Sequence, residues 1–506
     1  MKIELENIGT LHEADLEVGG LTLICGENNT GKTYAAYSLY GYLDFMRSMA
    51  DGFPERTINK RREGALERRR ALEMAGDFQK YTYSYPEIQA ELEIRFSKKT
   101  DFYSKNMLSR VMAGRNKDFE HAGLKVDWSV SLEEVKGAVK TYMEDLDIDQ
   151  HEEDEKVQYS RYSRYSRKVK RALHEGGLDI TIPWHLDGIE YLQFVLDALF
   201  AITMPKPFIL SVERTGASIF QGELDFIKMA KLDAFERMLQ KQNELDILDV
   251  FDIRRSADQR KQIYPRPVRD NINFIRNIKR ISKKDSIFAQ DKENYKAILD
   301  LLGKLVGGKY RATDSGLLFQ PKGSKSTYPI EIASSSVRSL LMLNYYILHV
   351  AQKNDILMID EPELNLHPNN QILMGRLLAL LVNAGIKVFI TTHSDYIVRE
   401  LSNCIMLKNL NTTQIEGLKK QGYTLEYGLD ANRVRAYVTK TIKKKNTLTS
   451  AKITQEQGIF MQTFDEPIET QNENQNMISD HVIQNMSNRH DSQGSLKTWE
   501  KLSMRS

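Results

Sequence analysis

The first residues of the chain alternate between apolar and polar side chains with the two-residue period of β-strands. The alternation covers residues 3–8 and 14–18, and glycines mark the turns that follow each segment. Residues 21–25 form a short, almost continuously apolar run, which is typical of a strand buried on both faces. A glycine-poor apolar run of helix length follows at 34–43. We therefore predict strands followed by a helix in the N-terminal region.

The period of the pattern changes several times further along the chain. Residues 50–200 and 217–305 are highly charged and place apolar residues at helical spacing, with a buried strand and polar turn between them at 207–216. After strand-like runs within 308–333, the predicted elements are a helix at 333–350, a strand at 355–360, a helix at 369–382, and strands at 387–391, 404–407 and 433–438. This order predicts an α/β fold, a mixed sheet with flanking helices and a large α-helical insertion.

The same shifts in pattern divide the chain into predicted segments. A single hydrophobic core rarely extends over 506 residues, so more than one structural unit is expected. The segments are an N-terminal part of the main domain (1–45), a helical insertion (46–205), a returning strand (206–216), a second helical insertion (217–305), the C-terminal part of the main domain (306–440) and a polar tail (441–506).

Composition narrows the class of protein. Lys plus Arg number 71 and Asp plus Glu 69, so no overall basic field indicates nucleic acid and any such surface must be local. With only two cysteines, Cys25 and Cys404, neither a disulfide framework nor a zinc cluster is indicated. The apolar stretch at 191–210 contains Asp197 and two prolines, so we predict no membrane span. A reducing, cytoplasmic setting is expected.

Residues 26–33 fit the phosphate-binding pattern G-x-x-x-x-G-K-[ST] and lie between the predicted strand and helix. The glycines let successive N–H groups converge on an anion, and the following helix adds its positive end. Lys32 is expected to reach the β- and γ-phosphates and the Thr33 hydroxyl to bind Mg²⁺. The predicted nucleotide-binding residues of this loop are Gly26, Asn28, Asn29, Thr30, Gly31, Lys32 and Thr33.

A second candidate site lies at the end of the apolar strand at 355–360. The adjacent carboxylates Asp360 and Glu361 are costly after a buried run unless a cation or a reactive water uses them. Downstream of a phosphate loop, Asp360 is expected to hold Mg²⁺ and Glu361 to orient and deprotonate the attacking water. His393 follows the next predicted strand, where open sheets bind ligands, and is placed to sense a γ-phosphate.

Two further segments leave alternatives open. Residues 159–167 repeat Tyr-Ser-Arg three times, which suits either contact with nucleic acid through Arg161, Arg164 and Arg167 or a solvated segment neutralised by the acidic run at 144–155. The Asn- and Gln-rich stretch 471–493 suggests a weakly ordered tail or a segment that binds a partner.

The order of these motifs resembles the ATP-binding-cassette (ABC) ATPase head shared by the SMC, RecF and OLD families. More closely, it resembles stand-alone ATPases of bacterial anti-phage operons, including the Septu, PARIS and retron-associated types. The resemblance covers residues 1–45, 207–216 and 308–440, and its specific parts are the phosphate loop, Asp360-Glu361-Pro362 and Thr392-His393-Ser394. It implies an ABC-type head that binds and hydrolyses ATP with Mg²⁺, with Lys32, Glu361 and His393 in catalytic roles.

The resemblance also implies a homo-oligomer in which ATP is sandwiched between two heads. The segment Ser334, Ser335 and Ser336 would cap the nucleotide held by the other head, and Asn365 would lie in the loop that contacts it. The usual signature has Gly after its serines, whereas this chain has Ser336, so we expect slow turnover. The glutamine that normally follows the phosphate-loop helix has only Gln79 and Gln89 as candidates.

Three functions compete at this point. The preferred hypothesis is an ATPase that controls a separately encoded nuclease or toxin effector during phage infection, because no Asp-x-Asp nuclease pair follows His393. The alternative is a DNA-maintenance ATPase of the RecF or SMC type that binds DNA directly. The insertions lack long heptads and so cannot form a coiled coil of SMC length, which favours the first. The third is a nucleotide-gated scaffold with negligible hydrolysis.

Overall fold

The computed structural model describes residues 1–48, 73–75, 78–149, 170–183, 188–220, 264–313, 316–460 and 470–484. The strands are β1 (Lys2–Ile8), β2 (Leu11–Glu17), β3 (Leu21–Gly26), β4 (Glu73–Ala75), β5 (Phe78–Ser84), β6 (Gly123–Asp127), β7 (Lys170–His174), β8 (Gly177–Pro183), β9 (Pro207–Leu210), β10 (Gly308–Thr313), β11 (Gly316–Pro321), β12 (Tyr328–Pro329), β13 (Ile356–Asp360), β14 (Lys387–Thr392), β15 (Val434–Ile442), β16 (Lys445–Ser450), β17 (Ile453–Thr454) and β18 (Gly458–Ile459).

The α-helices vary from single turns to 22 residues. They include α1 (Lys32–Ser48), α2 (Tyr85–Asn106), α3 (Leu108–Val111), α4 (Leu132–Asp149), α5 (Gly188–Thr203), α6 (Arg266–Arg276), α7 (Ile278–Ile281), α8 (Ile287–Gln290), α9 (Lys296–Val306), α10 (Ser335–His349), α11 (Pro368–Asn383), α12 (Asp395–Leu407) and α13 (Thr412–Gly417). Residues 214–220 and 470–484 are also helical.

A nine-stranded mixed sheet organises the molecule, in the order β6-β1-β2-β16-β15-β3-β14-β13-β9. The five strands from β15 to β9 are parallel, whereas β6, β1 and β2 pair antiparallel, as do β15 and β16. This confirms the predicted α/β class, a mixed sheet with flanking helices. Because parallel strands end at one edge, the residues after β3, β13, β14 and β9 meet there.

The five parallel strands are buried on both faces, and each contributes residues to two cores, whereas β1 and β2 alternate buried and exposed residues. In β13, Leu357 and Ile359 pack with α9 to α12 on one face, whereas Ile356 and Met358 pack with α1 and the inserted helices on the other. Phe389 of β14 joins the second group. The continuously apolar strands predicted from the sequence follow from this two-sided burial.

The predicted segments need two corrections. The insertion 46–205 is not purely helical, because β4, β5, β8 and β7 form a four-stranded sheet of their own and β6 completes the edge of the main sheet. The main sheet also continues past residue 440, since β16 pairs with both β15 and β2. Residues 470–484, most of which belong to the stretch expected to be a weakly ordered tail or a partner-binding segment, form an exposed helix.

The predicted strand at 404–407 is the last turn of α12. Ile397, Leu401, Cys404 and Ile405 are buried at helical spacing. The helical spacing of the buried residues is visible only when the segment is taken from residue 397 onward. The four residues 404–407 alone are too short to distinguish a helix from a strand. Among the residues that the structure describes, no helix is both long and apolar enough to cross a membrane.

Candidate functional site

The phosphate loop curls because three of its residues have left-handed backbone conformations. Gly26 has φ +134° and Gly31 has φ +100°, and Asn29 adopts φ +66° between them. A Cβ on Gly26 would lie 2.1 Å from Thr439 Oγ1, and one on Gly31 would lie 3.1 Å from the Leu11 main chain. Only glycine fits at these two positions, because both the φ values and the neighbouring atoms exclude a side chain.

Lys32 is the first residue of α1 and its ammonium group lies inside the curl of the loop. Its Nζ donates to Gly26 O at 3.0 Å and to Glu27 O at 2.5 Å. Burial lowers the pKa of Lys32, whereas the carboxylates of Glu361 and Asp360 oppose that shift. The positive charge is therefore held where the loop N–H groups and the helix N-terminus also favour an anion.

The hairpin β15–β16 supports the phosphate loop through Thr439 and Asn446. Thr439 Oγ1 lies 2.5 Å from Thr30 Oγ1 and donates to Cys25 O at 3.2 Å. Asn446 Nδ2 donates to Asn29 O at 3.4 Å. The loop predicted from residues 26–33 thus depends on partners more than four hundred positions away.

Asp360 lies at the end of β13, next to the phosphate loop. Its Oδ1 accepts from Thr391 Oγ1 on β14 and, at 3.5 Å, from Thr33 Oγ1 on α1. Burial raises the pKa of this carboxyl to about 6, although both threonine hydroxyls favour its charged form. The predicted pair Thr33 and Asp360 is therefore brought together from positions 327 residues apart.

The donor set at this point suits a magnesium ion. Asp360 Oδ2 is buried without a hydrogen-bond partner among the described residues, which is costly unless a cation or its water uses it. Mg²⁺ prefers oxygen ligands and commonly takes one or two carboxylates, waters and substrate phosphates. Within the described part of the chain, no cluster of three or more His, Cys, Asp or Glu residues could hold a metal by itself. Asp360 and Thr33 therefore fit a shared metal–nucleotide site.

Glu361 and His393 face each other beyond the end of the sheet. His393 Nε2 lies 3.7 Å from Glu361 Oε1, and both side chains are about one-third exposed at 31%. Burial lowers the pKa of His393, and the nearby positive charge of Lys32 adds to this. The carboxylate of Glu361 opposes these effects, and the net shift favours the neutral imidazole, which can both donate and accept a hydrogen bond.

Two charged residues at this site escaped the sequence analysis. Arg214, the first residue of the helical stretch 214–220 after β9, donates to Asp360 O at 2.8 Å and to Glu361 O at 2.6 Å. Glu363 accepts from His393 N at 2.6 Å and from Thr392 Oγ1 at 2.8 Å. Neither residue directly follows an apolar run as Asp360 does, because other charged residues lie between, so the sequence pattern did not single them out.

A protein-family model described as an AAA ATPase domain matches residues 1–398. That span contains the phosphate loop, the Asp360–Glu361 pair and His393. The chain belongs to this AAA ATPase domain family. As a member it is an ATP-binding ATPase in general terms. No curated protein matches the chain significantly.

Solved structures similar to this AAA ATPase domain include several SMC heads. An SMC head domain from Thermotoga maritima has 10% identity and a TM-score of 0.29, covering 89% of this chain and 98% of the other. An Smc head with an extended coiled coil, bound to the C-terminal domain of ScpA from Pyrococcus furiosus, has 11% identity and a TM-score of 0.28. The match covers 94% of this chain and 98% of the other. An Smc head bound to the C-winged helix domain of ScpA has 10% identity and a TM-score of 0.32. The match covers 89% of this chain and 97% of the other. The family assignment comes from the sequence match.

The three predicted signature serines of the AAA ATPase domain lie at the start of α10. Ser334 caps the helix by accepting from Val337 N at 3.4 Å, and its hydroxyl lies 3.0 Å from Ser336 Oγ. Ser334 and Ser335 are exposed. Their described hydrogen bonds stay within this turn and α10, so the folded chain does not join these serines to its own phosphate loop.

The remaining candidates contact other parts of the AAA ATPase domain. Asn365 has φ +61° and donates to Thr215 Oγ1 at 3.5 Å, beside the turn after β9. Gln89 lies on α2 and donates to Val130 O at 2.6 Å, within the insertion. Gln79 is part of β5 and pairs with Ile182 in the four-stranded sheet. The Tyr-Ser-Arg repeat at 159–167 lies outside the described residues.

Proposed function

We propose that the chain hydrolyses ATP at the edge of the sheet where the phosphate loop meets Asp360 and Glu361. The supporting observation is the convergence of Thr33 with Asp360 at 3.5 Å and of Glu361 with His393 at 3.7 Å. Thr33 and Asp360 come from distant parts of the chain, and each of the four side chains has a defined use in phosphoryl transfer. An ordinary glycine turn would not require this arrangement.

Each residue has one role in the proposed reaction. The loop N–H groups and Lys32 bind the β- and γ-phosphates. Glu361 orients the attacking water and accepts its proton, and His393 contacts the γ-phosphate. Mg²⁺, held by Thr33 and Asp360, supplies charge neutralisation at the phosphates when it is bound.

The active assembly in this proposal is a dimer that sandwiches ATP. Ser334, Ser335 and Ser336 are accessible yet bonded locally in their own chain, which supports their use by a second copy. Ser336 takes the place of the glycine that would allow close backbone approach, so we expect a low turnover rate.

The biological role we propose is control of a separate nuclease or toxin effector in anti-phage defence. Supporting this, the longest helix among the described residues of the insertion has 22 residues, far too short for an SMC-type arm. Purification from the native operon context tests this role. A nuclease or toxin that copurifies supports it, whereas DNA binding without such a partner supports the DNA-maintenance alternative.

Replacement of Glu361 by Gln tests the proposed reaction. The amide cannot accept the proton of water, so we expect phosphate release to fall by about 10²–10⁴-fold while ATP binding remains. Phosphate release and equilibrium ATP binding are measured side by side, with Lys32→Ala as the variant that loses binding. Wild-type protein that binds ATP without releasing phosphate would leave only the scaffold function.

A further inference from the structure

The buried guanidinium of Arg214 joins three elements at the candidate site. Its Nη1 donates to Ser211 O at 2.9 Å and Asp360 O at 2.8 Å, and its Nη2 donates to Glu361 O at 2.6 Å. Its Nε donates to Ser339 O on α10 at 3.3 Å. Arg214 is only 2% exposed, and all four hydrogen bonds go to main-chain carbonyl oxygens. The side chain thus ties the end of β9, the end of β13 and α10 together.

The main chain of Glu361 needs such support. Its φ of +54° is uncommon for a residue with a side chain, so the surrounding structure must hold it. Its N–H donates to Thr391 O at 3.0 Å, and its carbonyl oxygen accepts from Arg214 and from Leu364 N at 3.1 Å. This backbone conformation directs the carboxylate toward His393, at 3.7 Å.

The charge of Arg214 also matters at this position. Burial lowers its pKa to about 10, and the carboxylates of Asp360, Glu363 and Glu361 oppose the shift. The group therefore stays charged at neutral pH and places a fixed positive charge beneath three carboxylates. An ammonium group has no planar fork and fewer donors, so lysine cannot reproduce these contacts.

We propose that Arg214 is a positioning residue that holds the Glu361 backbone and links it to α10, the helix whose first turn carries the signature serines. This rests on the proposed function, because it assigns Glu361 the role of activating water. Through Ser339 O, the same guanidinium makes the position of α10 depend on the conformation of the Asp360–Glu361 turn. A change at the nucleotide of one chain would thereby reach the serines that cap the nucleotide of a second copy.

The test compares Arg214→Lys with Arg376→Lys in the full chain. Arg376 is a matched control because it too is buried and donates to main-chain carbonyls, of Gly422 and Gln421, but pairs with Glu400 and contacts no predicted site residue. Amide hydrogen exchange is measured across residues 361–366 without nucleotide, and kcat and KM for ATP are measured alongside. If Arg214→Lys does not fold, Arg214→Gln replaces it.

We expect Arg214→Lys to speed exchange across residues 361–366, where Leu364 N and Leu366 N donate to Glu361 O and Glu363 O. We also expect kcat to fall on the order of 10²-fold with KM near wild type, as for a displaced catalytic group. Wild-type exchange and kcat in Arg214→Lys, or equal changes in Arg376→Lys, would overturn the inference. Wild-type protein without turnover would instead refute the proposed function, and the exchange measurement would still decide whether Arg214 holds the turn.

Discussion

At the scale of single residues, Glu363 shows how the site is supported from below. Its two carboxylate oxygens separately hold the main chain of His393 and the hydroxyl of Thr392. Burial raises the pKa of Glu363, whereas the His393 N–H, the largest opposing contribution, favours the charged form. Burial is unfavourable for the charged carboxylate, but its hydrogen bonds fix the main chain at His393 and the side chain of Thr392.

We predict losses of stability of different size for two substitutions of Glu363. Glu363→Ala leaves a buried N–H and a hydroxyl unpaired and should lower the free energy of unfolding by about 1–3 kcal/mol. Glu363→Gln keeps the shape and an acceptor for His393 N–H and should be milder. Thermal or urea unfolding at one pH measures both, and equal losses would contradict the role of the hydrogen bonds.

The raised pKa of Glu363 also predicts a pH dependence. A carboxyl whose folded pKa lies above its ordinary value of 4.5 favours the folded state below that pH, and this contribution is lost as pH rises through the folded pKa. Glu363→Gln lacks the titration, so its stability relative to wild type should increase as pH rises from 4.5. Unfolding curves of both proteins across pH 4.5–8 test this, and a constant difference would contradict it.

At the scale of elements, α1 and α4 differ in what surrounds their glycines. A Cβ on Gly41 of α1 would lie 2.5 Å from Val111 and 2.7 Å from the Tyr103 hydroxyl, which donates to Ser38 O of the same helix. A Cβ on Gly137 of α4 would meet nothing within 4 Å. The phosphate-loop helix thus packs closely against the insertion at Gly41, whereas Gly137 faces open space.

Alanine at these two positions should change stability in opposite directions. Gly137→Ala gains helix propensity without a clash and should stabilise the protein by about 0.5–1 kcal/mol. Gly41→Ala gains the same propensity but overpacks the contact with α2 and α3, which typically costs about 1–3 kcal/mol. Melting temperatures of the two variants measure the difference. Stabilisation by Gly41→Ala would mean that the insertion does not constrain α1.

At the scale of the whole molecule, the sheet joins segments from both ends of the chain. Strand β3 lies between β15 and β14, so the phosphate loop is flanked by residues more than 350 positions later in the sequence. The exposed serines at the start of α10 lie outside this set of contacts. In the sandwich dimer that we propose, a second copy would bring its serines to this nucleotide site.

We predict that ATP converts the Glu361→Gln variant from monomer to dimer, because the trapped nucleotide cannot be released by hydrolysis. Light scattering with MgATP should show about a doubling of mass. Ser335→Arg, placed in the same background, should prevent the dimer while keeping ATP binding, because the long charged side chain blocks a close interface. Ser97→Arg, on the exposed side of α2, is the control. A dimer that survives Ser335→Arg would contradict the role of this segment.

The sequence by itself determined the local features of this protein. A strand buried on both faces has a continuous run of apolar residues, which is visible in the sequence. The strands ending at Gly26, Asp360 and Thr392 could therefore be predicted, together with the charged or glycine-rich segments that follow them. The phosphate loop could be predicted because all of its essential residues lie in one short segment. These are the glycines with positive φ and the Lys32–Thr33 pair that follows them.

Only the tertiary structure decided which of these local features meet. The contact between Thr33 and Asp360 spans 327 positions, and the place of β16 in the sheet depends on pairing with β2. The spacing of apolar residues along the sequence indicates that a residue is buried, but it does not indicate which residue packs against it. Arg214 looked like an ordinary turn residue for that reason, since its partners are main-chain carbonyls, which every residue carries and no sequence pattern distinguishes.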